Sequence, residues 1–308
     1  MAKYEIPLFM KGTTAWSFLG YAYVEQPPID LLGPSALDSE NPWIVLASVL
    51  EHAKKGNFDY LHRLPTWFHS GNGQGPDRAC VHLSADAGCQ TDLDKLQVLL
   101  EDGPDELRAY AAEAAVFVGR LWLVPAMLDA WKRVSSQGHH DTIGFAISSI
   151  LESPGGAIAE EAGLYNIDPN VFQRLENPEA KDLAQRMGAE DPEVTEFEAR
   201  VRERLSKLRS EFGNEVSLWQ GRPFNVRALA EQMYALVRSP SSGPLHGHFI
   251  QMRHKLEAVT GIDCSNCYKR GVLQPLAASA FLEAILDGEL LSQYESGVRY
   301  FFGHRIPG

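Results

Sequence analysis

The chain has 308 residues, 44% of them hydrophobic, and sets 28 Lys and Arg against 40 Asp and Glu for a formal charge of -12. This length and apolar content allow one large domain or two ordinary ones and exclude a disordered chain. The acidic balance repels nucleic acids and anionic membrane surfaces, so neither is expected as a partner, whereas a basic protein would be attracted.

Residues 1–40 read as an irregular N-terminal segment. Lys3–Met10 fits a strand, after which Pro27, Pro28, Gly33 and Pro34 break any continuing element. The apolar run near the N-terminus is too short for a signal-peptide core, and the longest apolar stretch, Ala114–Trp131, is interrupted by Arg120 and Asp129. These features predict a soluble, reduced, cytoplasmic protein.

Residues 41–155 read as a helical-hairpin region. Asn41 is a natural cap, with Pro42 at the first helical position and apolar spacing that continues until Gly56. Phe58–Phe68 is apolar but carries Pro65, residues 69–80 form a polar Gly-rich loop, and Ala79–Leu83 resembles a short strand. Four helices are then expected at Asp92–Leu100, Asp105–Val118, Leu121–Val134 and Asp141–Leu151, each ended by Gly, Pro or Ser clusters. Such short links predict a mainly α fold of stacked antiparallel hairpins, HEAT-like, with a few short strands and no fixed repeat motif.

Residues 156–308 read as a helical C-terminal region packed with the preceding one as one domain. Short helices are expected at Ala157–Ala162, Pro169–Glu176 and Pro178–Met187. A long charged helix runs from Glu193 to Phe212, with Glu198–Arg202 and Glu203–Lys207 as favourable neighbours and Arg200–Arg204 as an unfavourable one. Further helices are expected at Asn225–Val237, Phe249–Val259 and Pro275–Leu286, and strands at Glu215–Trp219 and Val298–Arg305.

Chemistry-bearing residues are few. Cys264 and Cys267 have a spacing that can chelate zinc or cycle as a dithiol. Zinc needs two further ligands, and Cys80 and Cys89, with eight residues between them, are not a knuckle; His82 competes with them. Tyr268-Lys269-Arg270-Gly271 then leaves one turn where a dithiol enzyme needs a long helix. Buried structural cysteines are therefore expected, with no metal and no cofactor. His139-His140-Asp141 lies at an expected helix start, with Asp141 as the cap, and His246-Gly247-His248 lies in a Gly/Pro loop. Neither pair has a zinc-site spacing. There is no Gly-x-Ser-x-Gly, and Gly71-Asn72-Gly73-Gln74-Gly75 lacks the Lys-Ser/Thr of a phosphate loop. This silence favours a binding protein over an enzyme.

Glu101, Asp102, Asp105 and Glu106 gather at a helix–helix turn. Asp105 and Glu106 suit the dipole of the following helix, and the cluster also offers an acidic patch to a basic partner. The loop from Gly71 to Gly75 is the second candidate contact. At the C-terminus, Tyr300-Phe301-Phe302 is expected to pack beneath the last helices, because three exposed aromatics there would promote aggregation.

Three runs carry a resemblance: Met252–Ala258 with Thr260–Cys264, Leu273–Ala278, and Gly297–Pro307. Together they resemble a family of bacterial immunity proteins encoded beside polymorphic or contact-delivered toxins. The resemblance covers about the last sixty residues and implies a protein that binds a cognate toxin, expected to be basic, and blocks it without catalysis. A helical-repeat scaffold or adaptor is the alternative, followed by a metal-dependent hydrolase using His246, His248 and distant carboxylates.

Overall fold

The computed structural model describes residues 6–10, 21, 23, 25–68, 76–153, 156–158, 192–239, 245–269 and 272–308, with backbone alone for 192–195 and 245–248. Over these residues the chain is mainly helical with a few short antiparallel strand pairs. A helical turn at Pro34–Leu37 precedes α1 (Pro42–Lys54), α2 (Pro76–Ala87), α3 (Gln90–Asp102), α4 (Asp105–Val118), α5 (Val124–Arg133), α6 (Gln137–Leu151) and α7 (Pro192–Phe212). Strands β1 (Leu218–Trp219) and β2 (Arg222–Pro223) follow, then α8 (Val226–Arg238) and α9 (Leu245–Thr260). The chain ends with β3 (Tyr268–Lys269), β4 (Val272–Leu273), α10 (Pro275–Asp287), β5 (Tyr300–Phe301) and β6 (His304–Arg305).

These elements gather into two compact units, Met1–Leu93 with Asn225–Gly308, and Asp94–Phe224. The divisions read from sequence, near residues 41 and 156, follow punctuation along the chain; the units follow contact in space.

Local chemistry explains most element ends. Asn41 accepts a hydrogen bond from the Trp43 amide at 3.0 Å, with Pro42 opening α1. Asn225 accepts from Ala228 at 2.9 Å to open α8. At the start of α3, Asp92 reaches back to the Cys89 amide at 3.1 Å, half of a capping box. The α4 helix spans the predicted residues, and Leu121 and Leu128 are both buried.

Several expectations are corrected. Ala79–Leu83 is helical rather than a strand: Pro76 starts α2, and its polar His82, Ser84 and Asp86 are buried along with its apolar residues, so polar spacing does not mark a solvent face. Leu8–Met10 is a 3-10 turn where a strand was expected. The α6 helix begins at Gln137, so Asp141 lies inside it and accepts from Gln137 Nε2 at 2.6 Å instead of capping. His246-Gly247-His248 opens α9 rather than sitting in a loop. The helices expected at Pro169–Glu176 and Pro178–Met187, nearly all of Ala157–Ala162, and the loop Gly71–Gly75 lie outside the described residues.

The expected single strands near Trp219 and Phe301 are hairpins. Leu218 pairs with Pro223 and Trp219 with Arg222; Tyr300 pairs with Arg305 and Phe301 with His304. Their turns are Gln220-Gly221 and Phe302-Gly303, with φ of 54° and 72°, and of 48° and 81°. Two successive positive φ values match the twist of tight hairpins. Both turns cap helices. Gln220 and Gly221 donate their amides to Ser149 and Ile150 of α6 at 3.0 and 2.8 Å. Phe302 and Gly303 donate theirs to Ala258 and Val259 of α9 at 2.7 and 2.8 Å. Helix-end carbonyls that lack partners are thereby satisfied.

Gly119 ends α4 at φ +68°, and a Cβ there would stand 2.1 Å from the Leu218 carbonyl oxygen. Gly213 has a similar φ, +78°, with nothing within 4 Å. Gly213→Ala should therefore lose only about 1 kcal/mol from backbone strain, while Gly119→Ala should lose at least about 2 kcal/mol. Leu128→Asp, placing an unpaired charge in the core, should lose about 4 kcal/mol or more. Urea unfolding measures all three; equal losses for the two glycine variants would contradict the close approach of Leu218.

Candidate functional site

In the unit formed by Met1–Leu93 and Asn225–Gly308, α9 is buried on every side from Met252 to Val259, yet it carries Arg253, His254, Lys255 and Glu257 there. Successive helical residues point about 100° apart, so these four cannot share one exposed face. Each meets groups supplied by other segments or by its own helix.

Asp86, at the end of α2, is the centre. Its Oδ2 accepts from the Tyr21 hydroxyl at 2.5 Å and lies 2.6 Å from His254 Nε2. An ionised carboxylate only accepts, so Nε2 carries the proton and donates. Burial alone would raise the Asp86 pKa, but His254, the Tyr21 hydroxyl and the charge of Lys255 together hold it below the usual carboxylate value. Tyr21 itself is pushed well up, first by burial and then by the Asp86 charge. The His82 ring stands 6.3 Å from that of His254.

Arg299, just before β5, is buried and donates to the carbonyls of Gly88 at 2.7 Å, of Ala85, and of Asp86 at 3.4 Å. A guanidinium thus caps the end of α2, where the helix dipole is negative. Arg253 and Glu257 form a second buried pair at 2.9 Å. Glu257 also accepts from the Cys264 amide at 2.8 Å, and the Arg253 guanidinium lies 4.8 Å from the Tyr268 ring centroid. Lys54 donates to the Tyr21 carbonyl and to Glu51 at 2.7 and 2.8 Å, beneath Tyr23 and Phe302.

All four cysteines are free. Cys80 and Cys264 have thiols pushed up by burial, and Cys267 is pushed up to about 11, so none of these three is a ready thiolate at neutral pH. His140 is stacked on Trp131 with centroids 4.0 Å apart, and burial pushes it down to about 4. Among the described residues no group of three or more His, Cys, Asp or Glu is arranged to hold a metal ion, and no helix is long and apolar enough to cross a membrane.

The predicted acidic turn lies in the other unit, and its members differ. Asp105 accepts from both the amide and hydroxyl of Ser135 at 2.9 Å and from Arg108 at 3.2 Å. The Ser135 amide is the main reason its pKa is lowered. Glu101 accepts from Gln97 at 2.6 Å. Asp102 and Glu106 are exposed, with Glu106 accepting from Tyr110 at 2.6 Å. Gly71 and Gly75 lie outside the described residues. Sequence reading did not single out Asp86, Tyr21 or Lys54. The available signal was the run Arg253-His254-Lys255 between Met252 and Leu256: three polar side chains about 100° apart on a helix cannot share one solvent face.

Compared with known proteins, the chain matches no family model, no curated protein and no solved structure.

The network gives the fold a defined response to pH. Burial, opposed by Asp86 and reinforced by Arg299, pushes Lys255 down to about 7. An unfolded lysine keeps its proton to about pH 10.4. Between these values the unfolded chain binds more protons, so this group makes stability rise with pH, by up to about 1.4 kcal/mol per unit. The buried thiols oppose it only above about pH 8.5, where unfolded cysteines ionise. Urea unfolding from pH 7 to 8.5 should show rising stability in the wild type and a clearly smaller rise in Lys255→Met. Equal slopes would remove Lys255 as the cause.

Proposed function

We propose that this chain binds and neutralises a cognate bacterial toxin by direct, non-catalytic association in the cytoplasm. The observation that carries the reading is the identity of the buried network. Arg253, His254, Lys255, Glu257, Cys264 and Arg299 all belong to the runs that resemble toxin-immunity proteins. The resemblance therefore falls on residues that organise one unit of the fold, which is what a shared scaffold would leave in two sequences.

Binding is then the task of the surface. Exposed Asp102 and Glu106, with half-buried Glu101, offer an acidic edge to a basic toxin, and the net charge of -12 would speed its approach. Asp105 belongs to the turn itself through Ser135 and Arg108, so it positions the edge. The loop Gly71–Gly75 is the second proposed contact.

Co-expression with the product of the neighbouring gene is the test. Protection of cells and co-purification are expected, and a non-toxic neighbour or a failure to protect would end this reading in favour of the adaptor. Asp102→Lys with Glu106→Lys should lower the association rate about tenfold at low salt, less as salt rises, with unfolding unchanged. Surface plasmon resonance across a salt series measures this.

A further inference from the structure

We propose that the unit holding α8, α9 and α10 also docks an extended acidic and apolar segment of a protein partner, seated across Leu276. Large aliphatic side chains of this unit are mostly buried, but Leu276 is 88% exposed and Val272 62% exposed. Pro275 and Leu276 form a ridge between two clefts of about 510 Å³ each. Each cleft is large enough to take a side chain or two. The ridge is held in place: the Gln274 side-chain amide donates to the Val272 and Leu273 carbonyls at 3.0 and 3.4 Å, and Pro275 starts α10.

Charge selects the occupant. One cleft carries Lys269 beside Tyr268, and the other carries Arg238 beside Tyr234, with Glu283 the one carboxylate lining either. On a chain of net charge -12, both clefts thus present an exposed cation to whatever crosses the ridge. Arg238 is pre-oriented: it donates to the Tyr234 hydroxyl at 2.9 Å, with its guanidinium 5.2 Å from that ring's centroid. A cation held before binding loses less entropy on pairing with a carboxylate. Tyrosine and arginine around an aliphatic ridge are also the residue types that dominate binding energy at interfaces. The segment that fits places leucine-like side chains on either side of Leu276 and carboxylates toward Lys269 and Arg238. A basic segment would meet Lys269 in one cleft with no carboxylate lining it to offset the repulsion, and would find only Glu283 in the other. This site stands apart from the toxin reading, which rests on the acidic edge and a basic partner.

Fluorescence anisotropy with a labelled peptide of alternating Asp and Leu is the test, beside alternating Lys and Leu, and Asp and Ser. The Asp–Leu peptide should bind with a dissociation constant below roughly 100 µM and the other two at least about tenfold more weakly. Leu276→Ser, and separately Lys269→Glu with Arg238→Glu, should each weaken the Asp–Leu peptide by about tenfold or more. Leu276 is so exposed that its variant should melt like the wild type, and it decides the matter if the double variant is destabilised. No binding of the Asp–Leu peptide, equal or tighter binding of the Lys–Leu peptide, or indifference to Leu276→Ser would overturn the proposal. So would sedimentation showing wild-type self-association that Leu276→Ser abolishes, because a second copy would then occupy the ridge.

Discussion

Burying a charged helix on every side is the constraint around which one unit of this protein is arranged. Ionisable side chains at Arg253, His254, Lys255 and Glu257 leave α9 in several directions, and water reaches almost none of them. Partners come from far apart in the sequence: Tyr21, Asp86, the Cys264 amide and the Tyr268 ring. Stranding one member of a buried pair costs about 3–5 kcal/mol, whereas replacing both with apolar residues is often neutral. Such a network therefore selects an arrangement more than it adds net stability. A competing packing of α9 would have to re-satisfy four polar side chains together.

The same economy of partners appears at helix ends, and it repeats. The hairpin at Gln220-Gly221 covers the last carbonyls of α6, and the hairpin at Phe302-Gly303 covers those of α9, with the same offset from the helix end. Three residues before each turn, a side chain reaches another helix end: Ser217 donates to Val118 at 2.7 Å, and Arg299 to the end of α2. Each hairpin closes alike, Phe224 donating to Ser217 at 2.8 Å and Ile306 to Arg299 at 3.1 Å. A non-glycine residue in the left-handed region is unfavourable by itself. Here the strain at Gln220 and Phe302 accompanies an amide aimed at a carbonyl with no partner in its own helix. Gly261 shows how close the fit is: a Cβ there would stand 2.8 Å from the Phe302 ring.

Why this repeat escapes a reading of the sequence is plain from its residues. Between Val216–Phe224 and Val298–Ile306, the valine at the start and the glycine of the turn are the shared identities. The device is made by backbone amides, which leave little trace in side-chain identity. Helices with Gly or Pro at their ends, such as α1, α4 and α10, were legible because capping and punctuation are local. The α2 helix was misread because its polar His82, Ser84 and Asp86 are buried in the core, where sequence pattern places apolar residues. Asp86 was invisible as a centre because its partners lie 65 and 168 residues away along the chain.

These facts divide the labour between interior and surface. In the interior, charged residues meet one another or backbone carbonyls, which fixes the scaffold and leaves them poorly placed to recognise anything outside. On the surface stand an acidic edge at Asp102 and Glu106 in one unit, and Lys269 and Arg238 beside an apolar ridge in the other. Exposed charges contribute little to stability, so their identities are free to follow a partner. A resemblance concentrated in the interior thus speaks to how the chain folds. Recognition of a partner, as proposed, would fall to side chains whose loss the fold would scarcely register.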